Sequence, residues 1–548
     1  MIEDEILIDK SIKKIIELQN KIDFYENNRN QDIAVVGVSC RFPGNVNTPE
    51  EYWNLLSSGS SGIVSTPDEH WRIEDLYKQG HSPEAIHLAS KAGFLKASPA
   101  EFDAAFFDIS PKEAALMDPQ QRLALELVWE AIENASYNAR ELMSRDVAFI
   151  LGICNNDYAS ITASNDTSFY SGTGNYFSIA AGRIAYTLGL NGPCFAVDTA
   201  CSSSLVAIHL ACESLRSNES EVAIAGGVNR ILTPDIALGA VNANDMLSQD
   251  HRCHTFSQHA NGYVRAEGGG FIVLKRLDDA IRANDNIHCV IKGSASNHDG
   301  ISSGLTVPSA DAQEKVLRKA LKMARIKPVE VDFLEAHGTG TKLGDPIEYR
   351  SLSIVYGQDR NSTHPLYLSS SKANVGHMES AAGVGGLIKL ILQMQKDQIT
   401  PQIDYLPVNE NIDLLITPAV IPDSLMKWPD RNHPKRSAVS SFGLSGTNAH
   451  VVLEEAPQVP KRQQPYVHRP LHLLPLSAKS EAALDAQINQ YQTYLEKAQQ
   501  NQVDLGDICY TAGVGRSHFD YRLAVVGDSI EEMLSKLQSK DFIQNKVT

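Results

Sequence analysis

The sequence predicts an α/β protein with covered sheets: one large body with a smaller α/β unit behind it. Two observations carry this. Apolar runs bounded by Gly and Pro read as buried strands, among them IAVVGVSC, VAFILGI, CFAVDTA, VAIAGGVN, GGFIVLKRL, HCVIKGSA, VDFLEAHG, LYLSSS and AVSSFGLSG. Helical patterns such as PQQRLALELVWEAIENA and AQEKVLRKALKMARI alternate with them, as they do where helices cover a sheet. The chain has 548 residues, too many for one compact core, since domains of about 100–200 residues are usual.

Residues 1–30 are highly charged, with Ile8, Ile12, Ile15, Leu18, Ile22 and Tyr25 spaced as one seam of a helix. Lys13 with Glu17, and Glu17 with Lys21, stand at i,i+4. So short a helix is marginal alone. A dimeric coiled coil is therefore expected, the alternative being a helix laid on the body. The body, 31–457, opens on IAVVGVSC and closes at VVLEEAP. A polar, Pro-bearing connector follows at 458–470, containing KRQQPYVHRP. Residues 471–548 read as strand, turn, helix and then helix, strand, helix. No internal repeat or low-complexity tract is visible.

The net charge is −17 with 43% hydrophobic residues. Such a surface repels nucleic acid and anionic membranes and favours small-molecule or protein partners. None of the 8 cysteines forms a C-x-x-C pair, so no metal site is expected, and scattered thiols suit a reducing cytoplasm. Acids precede any apolar run at the start, unlike a signal peptide, and no apolar stretch reaches membrane-spanning length.

Four motifs carry chemistry. In DTACSSSLVAIHLACESL a strand ends at Cys201 and an amphipathic helix follows at once. A thiol at a helix N-terminus is expected to have a lowered pKa. Ser202, Ser203 and Ser204 are small enough for a sharp turn and for substrate. A free thiol is otherwise a buried inert side chain, as Cys194 and Cys212 are expected to be. In VDFLEAHGTGTKLGDPIE, His337 follows a strand among small residues, with Thr339 and Thr341 offering hydroxyls. In LYLSSSKANVGHMESAAG, Lys372 and His377 lie five apart before another helix. In SSFGLSGTNAHVVLEE a Gly- and Ser-rich turn could supply backbone N–H donors to an oxyanion. Taken singly, each His is more often structural and the turn simply a turn. Together they offer a thiol, two imidazoles, an ammonium and backbone donors. Two imidazoles exceed what a hydrolase triad requires and suit a reaction that forms both a tetrahedral oxyanion and an enolate.

Two decoys fall away. GHSPE has Glu84 where an acyltransferase elbow needs Gly. VVGDSIEEM resembles a carrier-protein site at Ser529, but the preceding RLAVVG reads as a strand. Asp528 with Glu531 fits a capping box instead.

DTACSSSL, EAHGTGTKLGDPIE, SKANVGH and SFGLSGTNAH resemble the ketosynthase signatures of modular polyketide synthases, in the thiolase-like superfamily. MDPQQRLALELVWEAIE and GLTVPS match as well, and the resemblance covers about 32–457. Residues 471–548 resemble the linker domain that follows such ketosynthases, and the first 30 resemble a docking helix.

The resemblance implies a five-layered αβαβα fold and a homodimer. Cys201 would accept an acyl chain from the phosphopantetheine arm of an acyl carrier protein, with no bound cofactor. His337 and His377 would promote decarboxylation of a malonyl-type extender, and Lys372 would hold the charge pattern. Backbone N–H groups of Cys201 and Leu444 would form the oxyanion hole. Thr306, Thr339 and Thr341 would contact the pantetheine. Residues 1–30 would meet an upstream synthase subunit. Leu444 stands where the family has Phe, often a gate to the acyl pocket, and Ala266 replaces Gly in GYVRGEG. The rival readings are a ketosynthase of dissociated fatty-acid synthesis and a non-condensing acyl-transfer module.

Overall fold

The computed structural model describes residues 10, 12–19, 31–163, 168–242, 246–414, 417–458 and 469–547. Ile12, Ile15 and Leu18 lie on a helical stretch and are exposed. The other seam positions, Ile8, Ile22 and Tyr25, lie outside the described residues.

The body is built twice over. Its first half holds β1 (Ile33–Arg41), helix α1 (Pro119–Asn134), β2 (Val147–Gly152) and α2 (Phe177–Leu188). Then come β3 (Cys194–Val197), α3 (Ser203–Arg216), β4 (Val222–Asn229) and β5 (Gly268–Arg276). Its second half holds β6 (Cys289–His298), α4 (Ala310–Ala324), β7 (Phe333–Glu335) and α5 (Gly344–Tyr356). Then come β8 (Leu366–Ser369), α6 (Ala382–Lys396), β9 (Arg436–Phe442) and β10 (Thr447–Glu455).

The strands run β3-β2-β4-β5-β1 in the first half and β8-β7-β9-β10-β6 in the second. In each half the last strand is antiparallel to both its neighbours and the other pairs are parallel. Antiparallel pairing of β1 with β6 joins the halves. This duplication corrects the expectation of no internal repeat: the halves share strand order and hydrophobic period, not residues. One local device recurs. A Cβ on Gly37 of β1 would lie 2.4 Å from the Ala131 carbonyl of α1, and one on Gly293 of β6 would lie 2.5 Å from the Ala320 carbonyl of α4. In both halves the first strand meets its covering helix at backbone distance.

Five layers follow from which face each strand residue buries. Phe149 packs outward with Leu127, Val128 and Ile184 of α1 and α2. Its neighbour Ile150 packs inward with Leu205 and Ile208 of α3 and Leu387 and Ile391 of α6. Val451 of β10 joins that inner cluster, and Val452 joins Val316, Leu352 and Val355 of α4 and α5. The period of two thus splits each strand between two cores. The helix after Cys201 is expected to be amphipathic, yet α3 and α6 are buried on nearly every side, because they form the middle layer.

The C-terminal unit pairs β11 (His472–Ala478), β12 (Tyr521–Gly527) and β13 (Ile543–Lys546) antiparallel. Helices α7 (Glu481–Gln500), α8 (Leu505–Val514) and α9 (Ile530–Ser539) cover the sheet around Leu474, Leu484, Leu523 and Met533. Ser529, not Asp528, caps α9: its hydroxyl accepts from Glu532 N–H, and the Glu532 carboxylate accepts from Asp528 N–H at 2.7 Å. The capping pair is Ser529 and Glu532, one residue later than the sequence suggests. Ser82 of the GHSPE decoy caps a short helix in the same way. The unit is fastened to the body by Lys479 Nζ to the Phe106 carbonyl (2.7 Å), Arg516 Nη1 to the Glu133 carbonyl (2.8 Å) and a Phe106–Phe519 ring contact.

Candidate active site

The duplicated topology brings the four motifs together. Cys201 and Lys372 each follow the third strand of their half, and each precedes a central helix, α3 or α6. His337 leaves the end of β7, and Leu444 sits in the β9–β10 turn. In α/β folds, sites gather at such strand ends.

The thiol sits on a strained elbow. Ala200 has φ +54°, left-handed backbone that non-Gly residues seldom adopt. Thr199 N–H donates to Ser203 Oγ at 2.9 Å, and Ser202 Oγ donates to the Thr199 carbonyl at 2.9 Å. Val384 N–H of α6 donates to Ser204 Oγ at 3.1 Å. The three serines are fully buried. They fasten the turn to the fold rather than leaving room for substrate, which corrects the sequence reading. Gly443 lets the β9–β10 turn reach the elbow, since a Cβ there would lie 2.3 Å from the Thr199 carbonyl.

The backbone N–H groups of Leu444 and of Cys201 itself favour the thiolate of Cys201. The residue keeps some accessible surface, yet burial, helped by the Glu379 carboxylate, pushes the thiol up to about 11. Lys372 and the two N–H groups pull the other way and do not win. The expected depression is therefore corrected: desolvation outweighs the donors.

The imidazoles of His337 and His377 stand edge to face, centroids 5.6 Å apart. Burial, with the Lys372 charge second, holds both well below the usual histidine range, so both are neutral. Phe442 N–H donates to Nδ1 of His337 at 3.4 Å, and Glu379 N–H donates to Nδ1 of His377 at 3.1 Å. A neutral ring that accepts at Nδ1 carries its proton at Nε2. Both rings are thus Nε2–H donors. Nε2 of His377 is buried and has no hydrogen-bond partner among the described residues. Burial also lowers the Lys372 ammonium, opposed by the carboxylates of Glu335 and Glu348.

The Thr339 and Thr341 hydroxyls lie 3.3 Å apart in the loop after His337, while Thr306 is exposed on the 299–309 loop. Asp299 N–H binds the Gly446 carbonyl at 2.8 Å, so that loop is tied to the turn bearing Leu444. Leu444 itself is exposed.

Sequence reasoning passed over three residues. Glu348 accepts from the N–H groups of His337 (2.7 Å) and Gly338 (2.8 Å) and so fixes that loop. Arg265 and Glu379 form a buried ion pair beside His377. Their signal was present: charges within runs of small and apolar residues, in GYVRAEGGG and GHMESAAG.

Models of the β-ketoacyl synthase N-terminal and C-terminal domains match residues 30–280 and 288–406. The chain belongs to the β-ketoacyl synthase family. A model described as CurL-like, PKS C-terminal, matches residues 472–537. A phenolphthiocerol/phthiocerol polyketide synthase protein of Mycobacterium tuberculosis is 45% identical over 456 residues, 82% of this chain and 21% of that protein. Pikromycin polyketide synthase component PikAII of Streptomyces venezuelae is 40% identical over 538 residues, 96% of this chain and 14% of that protein. The chain thus spans about a fifth or less of these relatives' length.

Among solved structures, the ketosynthase from module 6 of the bacillaene synthase of Bacillus subtilis 168 is 38% identical, with TM-score 0.85, covering 93% of this chain and 85% of that one. The oxazolomycin ketosynthase domain from Streptomyces albus is 31% identical, with TM-score 0.86, covering 94% and 90%. The chain is a ketosynthase of the modular polyketide synthase type with the thiolase-like fold. Among the described residues no helix is long and apolar enough to cross a membrane, and no cluster is placed to hold a metal ion.

Proposed function

We propose that this ketosynthase performs decarboxylative Claisen condensation on substrates carried by the phosphopantetheine of acyl carrier proteins, with Cys201 as nucleophile. The observation that carries the reading is the pair of neutral imidazoles, each with Nδ1 occupied by a backbone N–H and a proton at Nε2, in one site with a thiol whose thiolate the backbone N–H groups of Leu444 and Cys201 favour.

Cys201 sulfur attacks the acyl thioester, the carrier C–S bond breaks, and the thiol proton passes to the departing carrier thiol. A malonyl-type extender then loses its carboxylate as CO₂. The electron pair moves onto the thioester oxygen, held by Nε2–H of His337 and His377. The enolate carbon attacks the acyl-Cys201 carbonyl. The tetrahedral oxyanion is stabilised by the N–H groups of Cys201 and Leu444, and its collapse breaks the carbon–sulfur bond to Cys201, whose thiolate takes a proton from water as the β-ketoacyl carrier is released. Lys372 maintains the positive field beside the neutral rings. Thr306, Thr339 and Thr341 guide the pantetheine arm. A non-condensing module has no use for two Nε2–H donors. CO₂ release from a malonyl carrier tests the reading: the protein is expected to release CO₂ and form β-ketoacyl product, and acyl exchange without CO₂ would sink it.

The chain divides, on this reading, into a docking helix (1–30), the ketosynthase body (31–457), a connector (458–470) and a linker domain (471–548). The unpaired thiols and acidic surface suit the cytoplasm. A homodimer is supported by β3, the edge of the sheet one turn from the nucleophile, which is only partly covered. Phe195 (40%) on it and Tyr186 (88%) on α2, which packs against it, are exposed, and an open apolar edge invites pairing with a two-fold mate. Phe195→Asp is expected to weaken the dimer by roughly 100-fold or more, read by sedimentation, because a charge would be buried at the pairing edge. A dimer of undiminished stability would place the interface elsewhere.

Deleting residues 1–30 is expected to leave condensation from diffusible acyl thioesters intact while slowing transfer from the cognate upstream carrier. Two rates measured side by side decide it, and equal loss of both would make the segment part of the body.

A further inference from the structure

We propose that Glu379, clamped by Arg265 and Asn155, is a positioning residue that sets the tautomer of His377. The inference rests on the reading of His377 as the enolate's Nε2–H donor. Glu379 has φ +47°, a left-handed conformation that a long side chain adopts only under constraint. That conformation aims its backbone N–H at Nδ1 of His377, 3.1 Å away. The rest of Glu379 is what holds it there. Arg265 donates from Nε to Oε1 at 2.6 Å and from Nη2 to Oε2 at 3.2 Å. Asn155 Nδ2 donates to Oε2 as well, and also to Asn229 Oδ1 at 2.6 Å.

The same segment grips the histidine from its other side. His377 N–H donates to the Val264 carbonyl at 2.7 Å, Ala266 N–H donates to the His377 carbonyl at 2.8 Å, and the Tyr263 ring stands edge-on at 5.0 Å. One strand-like stretch, 263–266, therefore fixes both the imidazole and the residue that decides where its proton sits. With Nδ1 occupied by a donor, the proton stays at Nε2, where the histidine has no partner among the described residues until substrate supplies an oxygen.

The competing account is that the pair is structural only. A buried ion pair can often be replaced by uncharged residues without loss of stability, so the two accounts separate in the double variant Arg265→Met/Glu379→Gln. In the full chain, the ¹⁵N shifts of labelled histidine, with His377 assigned by difference against His377→Asn, report which nitrogen carries the proton. Wild type is expected to show Nε2–H. The double variant is expected to show a mixture of tautomers, with condensation reduced roughly tenfold or more, as when an imidazole loses the group that orients it, and with Cys201 loading reduced far less. Arg265→Lys, which keeps a cation beside Glu379, is expected to retain Nε2–H.

A double variant that keeps Nε2–H and condenses at the wild-type rate overturns the proposal. So does a wild-type spectrum with the proton on Nδ1, whatever the variants do. Failure of the wild-type protein to release CO₂ would sink the condensing reading instead, and is distinguishable because the tautomer is read without substrate.

Discussion

Cys201→Ala yields no acyl-enzyme when incubated with an acyl thioester, and its condensation rate falls by at least ~10³-fold, the scale on which removing a nucleophile acts. The other seven thiols cannot take its place. Cys40, Cys212, Cys253, Cys289 and Cys509 are buried, and burial pushes their pKa values up. Cys154 and Cys194 keep some surface, but burial raises both, and no backbone donor opposes it among their causes. Cys201 stands at the strained elbow after Ala200, where the backbone N–H groups of Leu444 and Cys201 favour its thiolate. Since its thiol is pushed up to about 11, iodoacetamide labelling should not plateau near neutrality. The rate should climb about tenfold per pH unit from about pH 7 to 10, following the thiolate fraction. Intact mass and peptide mapping check both outcomes. An acyl adduct on the Cys201→Ala protein, or faster labelling of Cys194 than of Cys201, would remove Cys201 from the role.

What the sequence made legible were the local pieces. Apolar runs broken by Gly gave the strands that precede Cys201 and His337, though they end at Val197 and Glu335, because a buried strand and the turn after it leave a compositional mark. Helices α1 and α4 were visible for the same reason. The duplication was not legible, since strand order is a property of pairing and both halves satisfy it with different residues. The pKa of Cys201 was misjudged because a helix terminus is visible in sequence while depth of burial is not. Glu348 closes the run VDFLEAHGTGTKLGDPIE, but its role depends on α5 folding back so that its carboxylate meets the N–H groups of His337 and Gly338. Arg265 and Glu379, 114 residues apart, meet only through the bridge that sets Arg265 beside His377. Contacts of that separation belong to the fold.

His377→Ala and His337→Ala separately reduce condensation by about 10²–10⁴-fold, the usual worth of a transition-state donor in a dry site, while each keeps acyl transfer to Cys201 within about tenfold. The division follows from where the donors are. Loading forms one tetrahedral oxyanion, which on the proposed reading is met by the N–H groups of Cys201 and Leu444. Decarboxylation builds charge on a second oxygen, which on the proposed reading meets the Nε2–H groups of the two rings, 5.6 Å apart by centroid. Their neutrality matters as much as their position. Burial holds both well below the ordinary histidine range, so protonation does not remove them between about pH 6 and 8, and condensation should show no acidic limb from either ring there. Because both donors serve one enolate, the double variant should lose less than the product of the two single losses. Acyl-enzyme yield by intact mass and CO₂ release from a malonyl carrier, measured on the same samples, give the two quantities needed. Equal loss of loading and condensation in both single variants would mean that the imidazoles act on the thiol itself, and the assignment of His337 and His377 to the enolate would fail.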